Sequence, residues 1–341
     1  MDMDQVKLLM AQGQSHFNKG NWDAASKDLS KAQSLLEKAV LDTDGKETLV
    51  AVLLLKSFAE SRRGRYRHAL QAAERAIEIS RSIGDHEGEI EGMRKLGNVY
   101  WLKGDFHKAS EHYDAALVKA RECGANTLVG KIKIDQGTVL GALQQYDDAG
   151  ALFLEAAKIL KNEKELVEVA RALNNLGFMY ILQKKYRDAL GVLKNAMDIS
   201  EQVGDARMKG MTAINIAEAL VYLGNHKLAA DLIGPAIDSM TECDDKVGIA
   251  SAYRINGMIH SLAKEWPKAE TNFRRALAIM KVSGVAEMEA LILKDHGRML
   301  IAKGDKERAR AKLSEAYSVY KKLGVKDKAQ DVQQLLMQTQ D

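Results

Sequence analysis

Apolar and polar positions alternate along the chain with the period of an amphipathic helix, and turn signals interrupt the pattern at short intervals. Apolar residues recur three and four apart on both sides of pairs such as Gly104-Asp105. In that segment they are Leu96, Val99 and Tyr100 before the turn, and Ala109, Tyr113, Ala116 and Leu117 after it. The pattern predicts two antiparallel helices joined by a tight turn, that is, a helical hairpin.

The hairpin pattern recurs at a constant interval, the one that separates Ala69 from Ala109. One column of alanines comprises Ala25, Ala69, Ala109, Ala149, Ala189, Ala229, Ala269 and Ala309, and a second alanine follows each of them after seven positions. Only the first interval is longer, so the first connection carries extra residues. The predicted repeats are 6–49, 50–89, 90–129, 130–169, 170–209, 210–249, 250–289 and 290–329. Residues 326–341 predict a polar helix that caps the last repeat, as solenoids require for solubility.

Small residues occupy a third column, twelve positions before the first alanine of each repeat. The column reads Gly13, Ser57, Gly97, Gly137, Gly177, Ala217, Gly257 and Gly297. Glycine inside a helix costs about 1 kcal/mol relative to alanine, so its recurrence predicts a close approach of a neighbouring helix that offsets this cost. Glycines also stand at a common phase near the repeat ends, namely Gly84, Gly124, Gly204, Gly284 and Gly324.

These columns resemble the tetratricopeptide repeat (TPR), which has leucine-glycine, tyrosine, glycine-x-aromatic, alanine, aromatic and alanine in the same order. The third repeat carries Leu96-Gly97, Tyr100, Gly104, Phe106, Ala109, Tyr113 and Ala116 in those places. The repeat is longer than the usual one by six positions, and the usual proline after the second helix is absent. Such long repeats are similar to those of kinesin light chain, of the Pins/LGN polarity adaptors and of the sensor arms of some bacterial regulators. The resemblance implies an all-α fold: a single right-handed alpha-alpha superhelix (TPR solenoid) over 1–341, with eight helical hairpins and the capping helix.

Composition narrows the class of protein. The chain has 341 residues with two prolines, two cysteines and a net charge of +3, and 46% of its residues are hydrophobic. That charge is too small for a dedicated nucleic-acid binder, and two cysteines cannot form a disulfide scaffold. The longest apolar run, Leu49–Leu55, is far shorter than the roughly 20 residues of a membrane span. A cytoplasmic protein without a membrane segment is expected.

Residues that would support catalysis do not converge in the sequence. The eight histidines fall at different phases of the repeat, and His107 and His112 are five apart rather than the four that place two ligands on one helix face. Solenoid repeats contact only their neighbours and rarely enclose a small pocket. The sequence therefore predicts a protein that is not an enzyme and that needs no metal or cofactor.

The resemblance implies that the first helix of each hairpin lines a concave groove. At the four positions that would face it, basic residues are Lys7, Arg94, Lys95, Lys131, Arg171, Arg254, Lys294 and Arg298, and acidic residues are Glu91, Asp135, Glu218 and Asp295. This excess predicts a mildly basic groove that attracts an acidic peptide. The alternative interpretation is that these side chains only solvate a helix face.

Asparagine and apolar residues add to the predicted groove. Asn175 and Asn215 share one column, and an asparagine offers a donor and an acceptor to the backbone of an extended peptide. The predicted peptide-binding residues are Arg94, Asn98, Lys131, Arg171, Asn174, Asn175, Phe178, Asn215, Tyr222, Arg254 and Met258. Bonds to neighbouring helices and ordinary packing are the alternative roles for the asparagines and the apolar members.

The function predicted from these features is that of a protein-interaction scaffold or adaptor that binds a partner peptide. The alternative is a regulatory sensor whose solenoid changes shape around a signal peptide or a small ligand. The segment from Arg62 to His68 is the densest basic cluster and falls on a turn. It is either an anion-binding surface or a solvated turn.

Overall fold

The computed structural model describes residues 3–18, 20–283 and 285–340, and these residues form helices and turns without a strand. They divide into two compact units, Met1–Gln183 and Lys184–Asp341, called unit 1 and unit 2. The helices of unit 1 are α1 (Met3–Asn18), α2 (Trp22–Glu37), α3 (Thr43–Arg62), α4 (Tyr66–Ile83), α5 (His86–Leu102), α6 (Phe106–Glu122), α7 (Asn126–Ala142), α8 (Tyr146–Asn162) and α9 (Leu166–Leu182). Those of unit 2 are α10 (Tyr186–Val203), α11 (Ala206–Tyr222), α12 (His226–Glu242), α13 (Lys246–Leu262), α14 (Trp266–Ser283), α15 (Ala286–Lys303), α16 (Lys306–Lys322) and α17 (Lys326–Met337).

Within each unit, every helix packs against the next one along the chain. This succession of paired helices confirms the predicted all-α fold of helical hairpins. The predicted capping helix is α17, although its predicted last residue, Asp341, lies outside the described residues. That all repeats form one continuous array stays a prediction.

The odd-numbered helices line the inner face of each unit. In unit 1, α3 packs on α5, α5 on α7 and α7 on α9, and in unit 2 α13 packs on both α11 and α15. Within the described ranges, no two even-numbered helices pack on each other as closely as these odd-numbered pairs do. Helices that approach one another lie on the closed side of a curved stack, so the odd-numbered helices form its concave face.

The column of small residues lies where the two helices of a hairpin touch. A Cβ atom on Gly97 would lie 2.6 Å from Cδ1 of Tyr113, a fully buried ring on the following helix. The same holds in other hairpins, where the side chains that meet the glycines are Phe153 at Gly137, Phe273 at Gly257 and Leu313 at Gly297. The predicted close approach is confirmed, and the glycine is retained because a large side chain occupies the place of its Cβ atom.

Gly97→Ala is therefore expected to destabilise the chain by about 1–3 kcal/mol, since the added methyl group overpacks the contact with Tyr113. Gly191→Ala is the matched control, because Gly191 also lies inside a helix but has no atom within 4 Å of the added Cβ. This control is expected to gain roughly 0.5–1 kcal/mol from helix propensity. Thermal unfolding of both variants measures the difference, and equal shifts in the two would contradict the packing argument.

Residues with left-handed backbone geometry end the helices at a constant interval, the one that separates Gly64 from Gly84. Gly104 has φ 77°, and the amide of Asp105 then donates to the carbonyl of Tyr100 at 3.0 Å, which closes α5. Asp105 also accepts from the amide of Lys108 and so caps α6. The positions in phase are Gly64, Gly84, Gly104, Gly124, Gln144, Lys164, Lys184, Gly204, Gly224, Asp244, Lys264, Gly304 and Gly324. Of the predicted glycine stops, Gly284 alone lies outside the described residues.

Both cysteines, Cys123 and Cys243, are free thiols. The described residues include no group of histidine, cysteine and carboxylate side chains placed to hold a metal ion. No described helix combines the length and the hydropathy needed to cross a membrane.

Candidate functional site

A cleft of about 180 Å³ opens on the inner face of unit 1. It lies among α3, α5 and α7, and the last residues of α3, Ser61 and Arg62, contribute to its lining. Its lining residues are Phe58, Ser61, Arg62, Asn98, Trp101, Leu102, Tyr113, Asp135 and Thr138. The walls thus combine aromatic and aliphatic side chains with an amide, the hydroxyls of Ser61 and Thr138, a guanidinium and a carboxylate, which suits a segment that is partly apolar and partly polar.

Asn98 lies in the cleft with its amide group held in one orientation. The hydroxyl of Tyr113, on α6, donates to Oδ1 of Asn98 at 2.6 Å. Burial raises the pKa of the Tyr113 hydroxyl above its ordinary value, so this group remains a donor at all physiological pH values. Because Oδ1 is engaged, the Nδ2 amide hydrogens of Asn98 are the donors available to a ligand in the cleft.

Aromatic rings form the wall of the cleft on the side of α1 and α2. Phe58 is 36% exposed, and its ring centroid lies 5.7 Å from that of Phe17 and 5.6 Å from that of Trp22, both edge to face. Two cations lie over this cluster: the guanidinium of Arg62 is 5.3 Å from the Trp22 ring, and Nζ of Lys95 is 5.6 Å from the Phe58 ring. These contacts fix Phe58 while part of its ring stays open to solvent.

Arg94, a predicted peptide contact, is buried and paired with carboxylates. Its guanidinium lies 2.7 Å from Glu91 on the same helix and 2.7 Å from Asp135 on α7. Lys95 adds a contact to Glu91 at 3.1 Å. Burial alone would raise the pKa of Glu91, but Arg94 and Lys95 hold it well below its usual range. The network locks α5 to α7 and leaves Arg94 buried.

The same arrangement recurs in unit 2, four repeats later. Arg254 lies 2.7 Å from Glu218 on α11 and 2.6 Å from Asp295 on α15, and it is only 2% exposed. Burial opposes its charge, but the two carboxylates outweigh that effect and raise the pKa of Arg254 above its ordinary value. Arg254, another predicted peptide contact, therefore joins three inner helices. Met258, another predicted contact, is buried as well, with Sδ 3.5 Å from the Arg254 guanidinium.

These ion pairs also change the predicted charge of the inner face. All four predicted acidic residues form ion pairs with basic residues of the same set. Asp295 lies near two of them, Arg254 and Arg298. Arg171 in turn lies 2.7 Å from Glu168 on its own helix. Lys131 is half-buried and makes no ion pair with any described residue. Because the eight basic residues outnumber these four carboxylates and only Arg171 is paired outside the set, the basic excess counted from the sequence is only partly neutralised.

The remaining predicted residues differ in their exposure. On α9 of unit 1, Asn174 is buried, whereas Asn175 is half-buried and Phe178 is 38% exposed. In unit 2, Asn215 is half-buried on α11. Tyr222 is half-buried as well and stacks on Tyr186 at a centroid distance of 4.8 Å. Each unit therefore has its own set of accessible inner positions.

The cleft includes residues that were not predicted as peptide contacts, among them Phe58, Trp101 and Thr138. A signal for two of them exists in the sequence, because Phe58, Asn98, Thr138 and Phe178 are separated by intervals of one repeat and share one phase. Phe58 and Phe178 are both exposed and stand at the two ends of this row in unit 1. A column of exposed aromatics interrupted by polar residues is typical of a binding face.

Several solved structures have a similar fold at low sequence identity. Aspartyl phosphate phosphatase F from Bacillus subtilis matches with a TM-score of 0.67 and 13% identity, over 92% of this chain and 93% of that one. The Rap conjugation gene regulator of plasmid pLS20 in complex with the Phr* peptide gives 0.65 and 16%, over 97% of both chains. A Rap protein complexed with competence and sporulation factor gives 0.59 and 15%, over 98% and 97%. At these identities the likeness concerns the fold.

No curated protein sequence matches the chain significantly. A family model, described as tetratricopeptide repeat, matches residues 48–122, 168–238 and 248–322. These segments cover well over half of the chain and contain most of the alanine and small-residue columns from which the repeat was recognised. The chain belongs to the tetratricopeptide repeat family.

Proposed function

We propose that this chain is a non-catalytic protein-interaction module, and that the inner face of unit 1 binds a peptide segment of a partner protein. The observation that carries the proposal is the cleft among α3, α5 and α7, where aromatic and aliphatic side chains lie beside an amide of fixed orientation. Membership of the tetratricopeptide repeat family supports it. Further support comes from two Rap structures of similar fold, which are named as complexes with the Phr* peptide and with competence and sporulation factor.

The chemistry of the cleft suits one residue of an extended peptide. An apolar side chain fits between Phe58 and Leu102, and the peptide carbonyl beside it accepts from Nδ2 of Asn98. The cleft volume of about 180 Å³ is below the roughly 300–1,000 Å³ of a small-molecule site. It therefore favours a single side chain over a nucleotide or another compact ligand.

The peptide is proposed to continue along the row of equivalent positions on the inner face of unit 1. Thr138 on α7 and Phe178 on α9 follow Asn98 at intervals of one repeat, and Asn175 and Lys131 lie on the same two helices. Phe178 supplies a second exposed apolar contact. An extended segment spanning α5 to α9 would thus meet alternating polar and apolar groups.

Thr138→Arg is expected to lower the affinity for such peptides at least tenfold, because the long side chain fills the cleft beside Asn98. The position tolerates arginine, since Arg298 stands at the same phase four repeats later. The threonine hydroxyl donates to the carbonyl of Ile134 within its own helix, so little stability is lost. Peptides selected from a random library displayed on phage, then labelled and titrated by fluorescence anisotropy, provide the measurement.

The matched control is Thr241→Arg. Thr241 is exposed on α12, a second helix, and its hydroxyl donates to the carbonyl four positions before it just as that of Thr138 does. This variant is expected to bind the selected peptides with unchanged affinity. Equal affinities of the two arginine variants, or a library that yields no binding peptide, would refute the proposed inner-face site.

A second candidate is a regulatory sensor that changes shape when it binds a signal peptide. The specific support is again that the two Rap structures are named as complexes with Phr* and with competence and sporulation factor. A scaffold keeps its dimensions on binding, whereas a sensor contracts or extends. Small-angle X-ray scattering of the full chain with and without a selected peptide distinguishes the two functions.

A further inference from the structure

Basic residues gather on one edge of unit 1, which adjoins the cleft at Arg62. The edge is formed by the α3–α4 and α5–α6 turns. We call its five basic residues the basic edge: Arg62, Arg65, Arg67, Lys103 and Lys108. All five side chains are exposed. The turns are neighbours, because the hydroxyl of Tyr66 donates to the carbonyl of Leu102 at 3.3 Å.

Few carboxylates neutralise this surface. Within the basic edge, Lys108 has a carboxylate nearby, that of Asp105 at 3.7 Å. Arg63, in the α3–α4 turn, forms ion pairs with Asp23 and Glu60 and is therefore not counted in the basic edge. Arg65, Arg67 and Lys103 make no ion pair with any described residue. These three charges are thus exposed and uncompensated, unlike the arginines of the inner face.

The opposite edge of the same hairpins is less basic, because exposed carboxylates there accompany the exposed Lys38 and Arg81. There the turns α2–α3 and α4–α5 expose Asp42, Asp44 and Glu87. An anionic partner is attracted more strongly to the first edge of unit 1 than to the second, which orients it during the encounter.

We propose that the basic edge docks an acidic segment of a partner protein, independently of the peptide bound in the cleft. The surface is short, because Asp23 lies before it and the exposed Asp147 and Asp148 follow at the next turn of this edge. Such a patch matches a few successive carboxylates better than a nucleic-acid backbone, whose phosphates would run on into these acidic flanks.

The aromatic rings near the basic edge also argue for a protein partner. Single-stranded nucleic acid needs exposed rings on which its bases stack. Here the Trp22 ring is covered by Arg62, while the Tyr100 ring stacks on His112 and has the Nζ atoms of Lys103 and Lys108 5.3 Å from its centroid. The Trp22 and Tyr100 rings thus position cations, and the partly exposed Phe58 ring belongs to the cleft.

The test uses the full chain and a fluorescein-labelled peptide of ten glutamates, titrated by anisotropy at low and at high salt. Wild type is expected to bind at low salt and to lose affinity as salt screens the charges. The double variant Arg65→Glu/Arg67→Glu is expected to bind roughly tenfold or more weakly, because it places like charges opposite the probe. The control Lys227→Glu/Lys264→Glu reverses two exposed lysines at turns of unit 2 and is expected to bind as wild type does.

Three outcomes would overturn the proposal: no binding of the probe by wild type, equal binding by the Arg65→Glu/Arg67→Glu variant, or tighter binding of a labelled ten-nucleotide oligothymidylate. The Thr138→Arg variant separates this surface from the cleft. It is expected to bind decaglutamate normally while losing the library-selected peptides, so that either proposal can fail alone.

Discussion

Replacing Arg254 with methionine is expected to destabilise the part of unit 2 formed by α11, α13 and α15 by about 3–5 kcal/mol. The loss is large because Glu218 would remain buried without a counter-charge, and buried Asp295 would keep only the more distant guanidinium of Arg298, 3.9 Å away. Since repeats contact only their neighbours, the effect should stay local. Hydrogen exchange is the appropriate measurement, with faster exchange in these helices and unchanged exchange in α3 and α5.

Two further variants test the cause of this loss. The triple variant Arg254→Met/Glu218→Gln/Asp295→Asn removes all three charges and is expected to recover part of the stability. Arg94→Met is expected to cost less than Arg254→Met, because Lys95 stays beside Glu91 and the carboxylate partners of Arg94 are more exposed. If the triple variant were no more stable than Arg254→Met, unpaired buried charge would not be the source of the effect.

Acid is expected to destabilise unit 2 through His296 on α15. This side chain is 2% exposed, stacks on Phe273 and has no hydrogen-bond partner for either ring nitrogen among the described residues. Burial lowers the pKa of His296 from 6.5 to about 4, with Lys312, Arg308 and Arg274 acting in the same direction and Glu270 against it. The unfolded chain therefore takes up this proton first as the pH falls.

The lowered pKa of His296 sets the pH range over which the free energy of unfolding decreases. The neutral imidazole supports the fold fully above pH 6.5, and this support is lost as the pH falls toward 4, a total of about 3 kcal/mol. His296→Phe keeps the stacked ring and removes the titrating group. Between pH 7.5 and 4.5, wild type is expected to lose roughly 2–3 kcal/mol more than this variant, measured by urea unfolding.

The difference between the two proteins is the informative quantity, because carboxylates such as Glu270 titrate in both. At neutral pH the variant is expected to be at least as stable as wild type, since phenylalanine leaves no buried nitrogen without a partner. Parallel loss of stability in the two proteins would show that His296 does not control the acid response.

The fold was predictable because its determinants repeat within one chain. A glycine such as Gly97 is costly in a helix and is explained only by what packs on it, so its return in repeat after repeat signalled a recurring geometry of contact. The alanine columns carried the same information about the second helices. Comparing the repeats with one another showed which positions pack against a neighbouring helix, which the sequence of a single hairpin does not show.

The roles of the inner charges were not predictable by counting them column by column. Arg94 and Asp135, like Arg254 and Asp295, lie 41 residues apart, one repeat and one further residue along the chain. A side chain long enough to reach the next inner helix pairs there, and its charge is no longer available to a ligand. The recurrence of arginine and aspartate at this spacing was the signal that separated a structural pair from a binding residue.

The cleft depends on a different kind of information. Phe58 and Thr138 could be placed on the inner face from their repeat phase, but the space between them depends on side-chain volumes that differ from one repeat to the next. At the corresponding positions of unit 2 stand Glu218 and Arg298, which are charged and fill that face differently. Periodicity therefore located the face but not the opening.

Left-handed residues recur at the constant interval of Gly64, Gly84 and Gly104, but inner and outer helices alternate, so the chain changes length without disruption only by whole hairpins. Loss of one hairpin, as by unequal recombination between repeats, brings Gly104 into the place of Gly64 and keeps every later helix on its own side. Loss of a single helix with its turn also preserves the turn geometry, but it would exchange inner and outer helices for the rest of the chain. The small-residue column would then face the wrong neighbours. The segment that can be gained or lost is therefore the hairpin and not the single helix.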